Sequence, residues 1–352
     1  MEIIEVKSKK DILKFKKFRK MIYSNDPYYV STIEFTFDML LKKETLFAKQ
    51  ATIIPLMVVD DSKIVAECML IHNLKDDFLQ MSFFEALPNQ EEAVGLLKEA
   101  AKKYAKNQNM NRLIVGLNGH LSYGVGLSAD MCKPNTFDST YTKTYYLDYF
   151  NDGLEYNLFS FSNKISNIVS ILKCRNSQIT IRPINLSKFD EEMELFRVIC
   201  NETIGKTFLY SEADYYHFSD LMGSMKFFLR PENLLFACNK DEVVGFIFWH
   251  PDYNEILAKG RHNSLLEIAI RYTFTKNKIS KVKLNSIGVK DEYQGNVTMM
   301  LLCEAAKYMK NYSDIETNFV WENNRRSMKI NKHLIQNIER SFKVVEYRYD
   351  WY

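Results

Sequence analysis

The chain has 352 residues, of which 46% are hydrophobic, 14% aromatic and 26% charged. That is about twice the length of a common domain, and the aromatic content excludes a disordered chain. A formal net charge of +3, left over from 47 basic and 44 acidic side chains, demands neither a nucleic-acid nor a membrane partner.

In chain order, residues 2–6 read as a short strand, and residues 11–23 carry Ile12, Phe15, Phe18 and Ile22 at helical spacing. The lysines between Lys7 and Lys20 read as the solvated face of that helix, with a polyanion-binding patch as the alternative. After an Asp26-Pro27 turn comes a second apolar segment over residues 33–41. Two β-rich runs, residues 52–59 and 64–71, flank the polar turn Asp60-Asp61-Ser62-Lys63 and predict a hairpin. A strand over 80–86, an amphipathic helix over 91–107 with Val94, Leu97, Ala101 and Tyr104 inward, and strands over 112–117 and 156–161 complete this half.

The same order then repeats. Residues 179–184 predict a strand and 189–203 a helix; 234–238 and 243–249 form a second hairpin around Asn239-Lys240-Asp241-Glu242. A strand over 281–289, a helix over 297–310, a strand over 315–320, a helix over 325–337 and a closing strand over 343–349 follow. The repeated order, with a small echo between residues 99–104 and 304–308, reads as an internal duplication. The expected domains are 1–162 and 178–352, joined by a connecting helix within 163–177.

Strand, helices, hairpin, strand, helix, strand is the order of the GNAT acyltransferase fold. The chain resembles a bacterial family of tandem GNAT-related proteins through residues 23–30 (Tyr-Ser-Asn-Asp-Pro-Tyr-Tyr-Val) and 112–118 (Arg-Leu-Ile-Val-Gly-Leu-Asn). In the second half, residues 181–184 (Ile-Arg-Pro-Ile), 189–192 (Phe-Asp-Glu-Glu) and 288–295 (Gly-Val-Lys-Asp-Glu-Tyr-Gln-Gly) carry the resemblance. It implies an α/β (α+β) chain of two tandem GNAT-like domains. Each holds a mixed, mostly antiparallel central sheet flanked by helices.

The resemblance also implies a place for acetyl-CoA or another acyl-CoA as co-substrate. In GNAT folds a splayed strand offers backbone N–H groups to the pantetheine arm, and the next helix N-terminus cradles the pyrophosphate. Here those positions are Ile287, Gly288 and Val289 on the strand, then Gln294, Gly295, Asn296, Val297 and Thr298. Against the family pattern Gln/Arg-x-x-Gly-x-Gly/Ala, Gln294 fits, while Val297 and Met299 stand where small residues belong, which predicts a weakened grip. The first-half counterpart, residues 86–92, has no glycine and places Glu91 and Glu92 where a pyrophosphate would sit, so no cofactor is expected there.

Acyl transfer to an amine needs a polarised carbonyl, a base and a proton for the leaving thiolate. The backbone N–H of Val289 is the polarising candidate, and Glu322, at the end of a strand, is the base candidate, with a plain helix N-terminal carboxylate as the bland reading. The tyrosine that often serves as acid falls on Asn331. Substrate-wall candidates are Asn118, His120 and Tyr123 in the most loop-like stretch, and His250, for which a core histidine is the competing reading.

No grouping has metal-ligand spacing, and six scattered cysteines read as reduced thiols of a cytoplasmic protein. The reading is an acyl-CoA-dependent N-acyltransferase acting on a small-molecule or protein amine, with no nucleic-acid or membrane partner. Its alternatives are a catalytically silent tandem GNAT that binds a ligand or partner and, further off, an aminoacyl-tRNA-dependent transferase. Oligomeric state has no signature in the sequence.

Overall fold

A computed structural model of the chain describes residues 1–31, 34–130, 134–172 and 178–351. Ile33, Cys132, Cys174 and the end of the expected connecting segment, residues 173–177, lie outside the described residues. The chain divides into two compact units. Unit 1 is Met1–Leu158 with Ala258–Asn263 and Ser341–Tyr352, and unit 2 is Phe159–Leu257 with Ser264–Arg340.

The first part of the chain gives β1 (Glu2–Glu5), α1 (Lys9–Tyr23), β2 (Val30–Ser31), α2 (Glu34–Leu41), α3 (Leu46–Gln50), β3 (Thr52–Asp60) and β4 (Lys63–His72). Then come β5 (Leu79–Ala86), α4 (Glu91–Asn107), β6 (Arg112–Val115), β7 (Leu127–Ser128), a 3-10 helix over Thr144–Phe150 and β8 (Leu154–Lys164). Ser8 caps α1 by accepting the Asp11 N–H at 3.1 Å. The β3–β4 turn works because Asp61 and Ser62 both take positive φ, 44° and 66°, which matches the twist of a two-residue hairpin. Helix α4 buries Val94, Leu97, Ala101 and Ala105, four positions on one helical face, against Leu56, Cys68, Leu79 and Met81 of the sheet.

The later part gives α5 (Ile165–Ile171), β9 (Thr180–Pro183), α6 (Phe189–Ile204), α7 (His217–Met222), β10 (Leu234–Asn239), β11 (Glu242–Pro251) and β12 (Arg261–His262). It ends with α8 (Leu265–Thr275), β13 (Lys281–Val289), α9 (Asn296–Met309), β14 (Asp314–Thr317), β15 (Val320–Trp321), α10 (Arg325–Leu334) and β16 (Asn337–Arg348). In unit 2 the sheet is covered on both faces. Helix α9 packs Val297, Leu301 and Ala305 against Leu235, Ile247 and Val282, while α6 packs Met193, Phe196 and Cys200 against Phe236, Phe246 and Phe248.

The strand order is the same in the two units, with one exchange. Unit 1 runs β1-β3-β4-β5-β6-β16 and unit 2 runs β9-β10-β11-β13-β14-β8. In each, the fourth and fifth strands are parallel (β5 with β6, β13 with β14) and the last strand is antiparallel to the fifth. The halves expected from the sequence are contiguous; the units are not. The strand expected to close the second half pairs with β6, through Val345↔Val115 and Arg348↔Arg112. The strand expected to close the first pairs with β14, through Ile315↔Asn163.

Smaller differences have local causes. The strand expected over 315–320 breaks at Asn318, whose N–H donates to the Leu284 carbonyl at 2.8 Å, leaving β14 and β15. Helix α10 stops at Leu334 because Gln336 takes a φ of +79°. Cys68, Cys200 and Cys238 are free and buried, but Cys303 is disulfide-bonded, so the reading of six reduced thiols is corrected there.

Candidate functional site: the splayed strand of unit 2

Strand β13 pairs with β14 from Lys281↔Asp314 to Leu284↔Thr317 and then leaves it. A register shift at Phe248/Trp249 in the β11–β13 ladder marks a bulge at this point, which bends the strand away. Beyond it β13 stays paired with β11 through Ser286, Ile287, Gly288 and Val289. The Lys290 N–H donates to the Val244 carbonyl at 2.9 Å, which sets the phase of the ladder. Residues opposite each other in an antiparallel ladder alternate between bonded and unbonded pairs, so Val289 and Ile287 turn their backbone groups to the side that β14 has left. The Val289 carbonyl there accepts the Gln294 side-chain amide at 3.2 Å.

Gly288 is a glycine for a packing reason. A Cβ at this position would lie 2.2 Å from the Thr203 Oγ1 of α6 and 2.6 Å from the Phe246 ring. After β13 the chain makes one 3-10 turn over Asp291–Tyr293 and enters α9 through Gly295, at φ +89° and ψ −74°. That backbone conformation suits glycine, and a Cβ placed there meets nothing within 4 Å. Met299 N–H closes the first turn on the Gly295 carbonyl at 3.2 Å, so the N–H groups of Asn296, Val297 and Thr298 are the helix's orphan donors.

Val297 does not stand between an anion and these donors. Its side chain is 2% exposed and packs in the core with Leu301 and Ala305, one and two turns further on. Val297 therefore points inward, away from these donors, while Met299 is half-buried against the same core. Asn296 is exposed and Thr298 half-buried at the mouth. Lys290 is held by Glu202 and Glu242, each at 2.8 Å, and those carboxylates raise its pKa well above the usual lysine range.

The other candidates fall elsewhere. Glu322 is exposed in the turn after β15, and Asn324, two residues on, caps α10 by accepting the Ser327 N–H at 3.0 Å. Asn331 donates its amide to the Ser327 carbonyl at 2.9 Å. His250 is fully buried, with Nδ1 2.9 Å from the Pro251 carbonyl and its ring stacked on Tyr253; burial pushes its pKa down to about 3. It is a core histidine. Asn118, His120 and Tyr123 belong to unit 1 and are buried there. Asn118 Oδ1 accepts the Phe83 N–H at 2.9 Å, and His120 Nδ1 accepts the Ser122 N–H at 3.1 Å, so both side chains hold loops in place.

Unit 1 has the same splay, filled by its own chain. Strand β5 leaves β6 after Met81↔Val115, and Ala86 occupies the position that Val289 has in unit 2. The Ala86 carbonyl accepts the Tyr145 hydroxyl at 2.7 Å. Tyr149 Oη donates to the Leu87 carbonyl at 2.6 Å and accepts the Gln90 N–H at 3.1 Å, directly at the start of α4. At the position that Gly288 has in unit 2 stands Glu85, buried, bonded to Arg19 and accepting the hydroxyls of Tyr23 and Tyr146 at 2.8 and 2.7 Å. A cavity of about 20 Å³ remains beside Phe83 and Glu85, room for about one water and not for a pantetheine arm. The tyrosine plug was not foreseen. Its only trace in the sequence is the spacing of Tyr145 and Tyr149 at four residues.

Sheet order, splay and the glycine turn into α9 together define a tandem GNAT fold. Comparison with solved structures agrees. A tandem GNAT protein from the clavulanic acid biosynthesis pathway superimposes with a TM-score of 0.60 at 9% identity, covering 99% of this chain and 98% of that one. A GCN5-related N-acetyltransferase from Sphaerobacter thermophilus gives 0.53 at 13% identity, over 98% and 95% of the two chains. A probable N-acyltransferase from Enterococcus faecalis gives 0.57 at 7%, over 98% and 71%. At these identities the likeness is one of fold. No family model matches the sequence. Among curated proteins, protein YghO of Escherichia coli K12 is 29% identical over 138 residues, a match that spans 37% of this chain and 35% of that protein's length.

Proposed function

We propose that the chain is an acyl-CoA-dependent N-acyltransferase whose co-substrate enters the splay of unit 2. The observation that carries this reading is the departure of β13 from β14 at Leu284, followed by the Gly295 turn that leaves three N–H groups of α9 open. The Ile287 and Val289 amides would pair with the pantetheine arm, and the N–H groups of residues 296–298 would face the pyrophosphate, favoured by the helix dipole. In the transfer an amine nitrogen of the acceptor bonds to the thioester carbon and the C–S bond breaks. The amine proton goes to a base, and the thiolate takes up a proton. The Val289 N–H would hold the carbonyl oxygen as charge develops on it.

A specific feature favours a slow or silent variant as the second reading. By its spacing from Asn324, Asn331 falls where the family resemblance puts the usual acid, and an amide donates no proton at neutral pH. General acid help contributes 10²–10⁴-fold, so acetyl transfer is expected well below the roughly 10 s⁻¹ of ordinary enzymes. An Asn331→Tyr variant with higher turnover would identify the missing acid as the limit. The direct test of the site is melting with CoA, acetyl-CoA and longer acyl-CoAs. At 100 times its dissociation constant, a ligand stabilises by about 2.7 kcal/mol, several degrees here, and Gly295→Val should remove the effect. No shift with any of them would end the proposal.

A further inference from the structure

Helix α1 of unit 1 carries a surface that the net charge of the chain conceals. Its inner face is accounted for: Phe15, Phe18 and Tyr23 are buried in the unit, Arg19 is bonded to Glu85, and Lys16 pairs with Asp38 at 2.7 Å. The outer face holds Lys9, Lys10, Lys14, Lys17 and Lys20, all exposed. None of the five lies within ion-pair distance of a carboxylate among the described residues. At 100° per residue these lysines fall within one arc of about 140°, and no acidic residue of α1 shares it. Asp11 stands about 60° beyond Lys14, just outside the arc; the Ser8 hydroxyl, donated at 2.5 Å, and then Lys14 and Lys10 lower its pKa.

Two apolar side chains sit inside that arc. Leu13 is 69% exposed and Met21 49% exposed, one near each end of the helix and each flanked by lysines. Single exposed apolar side chains are ordinary on a surface; what marks these two is that both lie inside an arc otherwise made of lysines. A base-reading nucleic-acid face would offer arginine forks or exposed rings, and this arc has neither; lysines alone would serve a phosphate backbone, but the two apolar tips would find nothing there. Five unpaired ammonium groups around two protruding apolar side chains fit an anionic lipid surface: the charges meet headgroups while the apolar tips enter the acyl boundary. We propose that the outer face of α1 docks on anionic phospholipid, with Lys10, Lys14 and Lys17 along its middle and Leu13 and Met21 as shallow anchors. The docking is peripheral and salt-sensitive, since its charges are exposed.

The test is co-sedimentation of the full chain with phosphatidylcholine vesicles, with and without phosphatidylserine, at low and physiological salt. Binding should require phosphatidylserine and weaken with salt. The triple variant Lys10→Gln/Lys14→Gln/Lys17→Gln should lower partitioning on the order of 100-fold, from about fivefold per lysine, and Leu13→Gln should lower it further. A control removing two exposed lysines of unit 2, Lys240→Gln/Lys310→Gln, should bind like the parent. Unchanged melting temperatures separate lost docking from lost folding, because exposed Lys→Gln changes are close to neutral. Binding independent of phosphatidylserine, binding indifferent to the triple substitution, or a stronger preference of the same lysines for duplex DNA or RNA than for vesicles would each overturn the proposal.

Discussion

At the scale of single residues, burial decides between roles that the sequence leaves open. His250 is the clearest case. Its folded pKa lies near 3 against 6.5 for the free side chain, chiefly because burial disfavours the charged ring. Below about pH 6.5 the unfolded chain takes up a proton that the folded chain refuses, so stability is full above that pH and falls as pH drops towards 3. The slope is about 1.4 kcal/mol per pH unit from this residue alone. A His250→Phe variant should therefore lose about 2 kcal/mol less than the parent between pH 7 and pH 5 in urea melts. Equal losses would show that the ring is protonated in the fold. Tyr149 is the second case. One phenol satisfies both the Leu87 carbonyl and the Gln90 N–H, so Tyr149→Phe leaves two backbone groups wanting and should cost about 1–3 kcal/mol. It should not open the first unit to CoA, because Glu91 and Glu92 remain in the first turn of α4; a CoA-dependent shift that survives disruption of the Gly295 turn would contradict this.

At the scale of elements, strands and helices were legible because alternation and helical spacing are local. Helix α4 matches its expected span, and the two hairpins fall on their polar turns. The inward turn of Val297 was legible too, through its spacing with Leu301 and Ala305, whereas the family pattern speaks of residue size and not of direction. What no local pattern carries is the pairing of strand with strand. The splay at Leu284 depends on a bulge opposite Phe248/Trp249, and the plug of unit 1 depends on a 3-10 turn whose tyrosines look like ordinary core residues in sequence. Gly288 ties element to element in a way that can be measured. Gly288→Ala would drive a Cβ into Thr203 and Phe246 at 2.2 and 2.6 Å, so α6 and β13 must separate, at a cost of about 1–3 kcal/mol. Adding Thr203→Ala removes the nearer clash and should recover part of that loss, seen as a positive coupling in a double-mutant cycle. Strict additivity would mean that the two residues do not touch.

At the scale of the whole molecule, the exchange of closing strands makes a prediction that two independent halves would not. A fragment of residues 1–162 keeps β1 to β6 of unit 1 but lacks β16. Strand β6 then has a bare edge, Val345 is missing from the core, and Arg112 and Tyr156 lose the buried Glu346 carboxylate they contact at 2.8 and 2.7 Å. Residues 178–352 lack β8, so β14 loses its partner at Ser162, Asn163 and Lys164, and Glu316 loses the Ser160 hydroxyl at 3.1 Å while still buried against Arg340. An exposed, apolar strand edge templates aggregation, and a domain without its last strand cannot close its core. Each fragment alone should therefore be aggregated, or lack a cooperative melt by circular dichroism. Fragments 1–177 and 178–352 made together contain every strand of both units, and they should recover a soluble pair with one cooperative transition. A cooperative melt from fragment 1–162 by itself would show that the last strand is dispensable to unit 1, and with it that the pairing of β16 with β6 is not what holds that unit together.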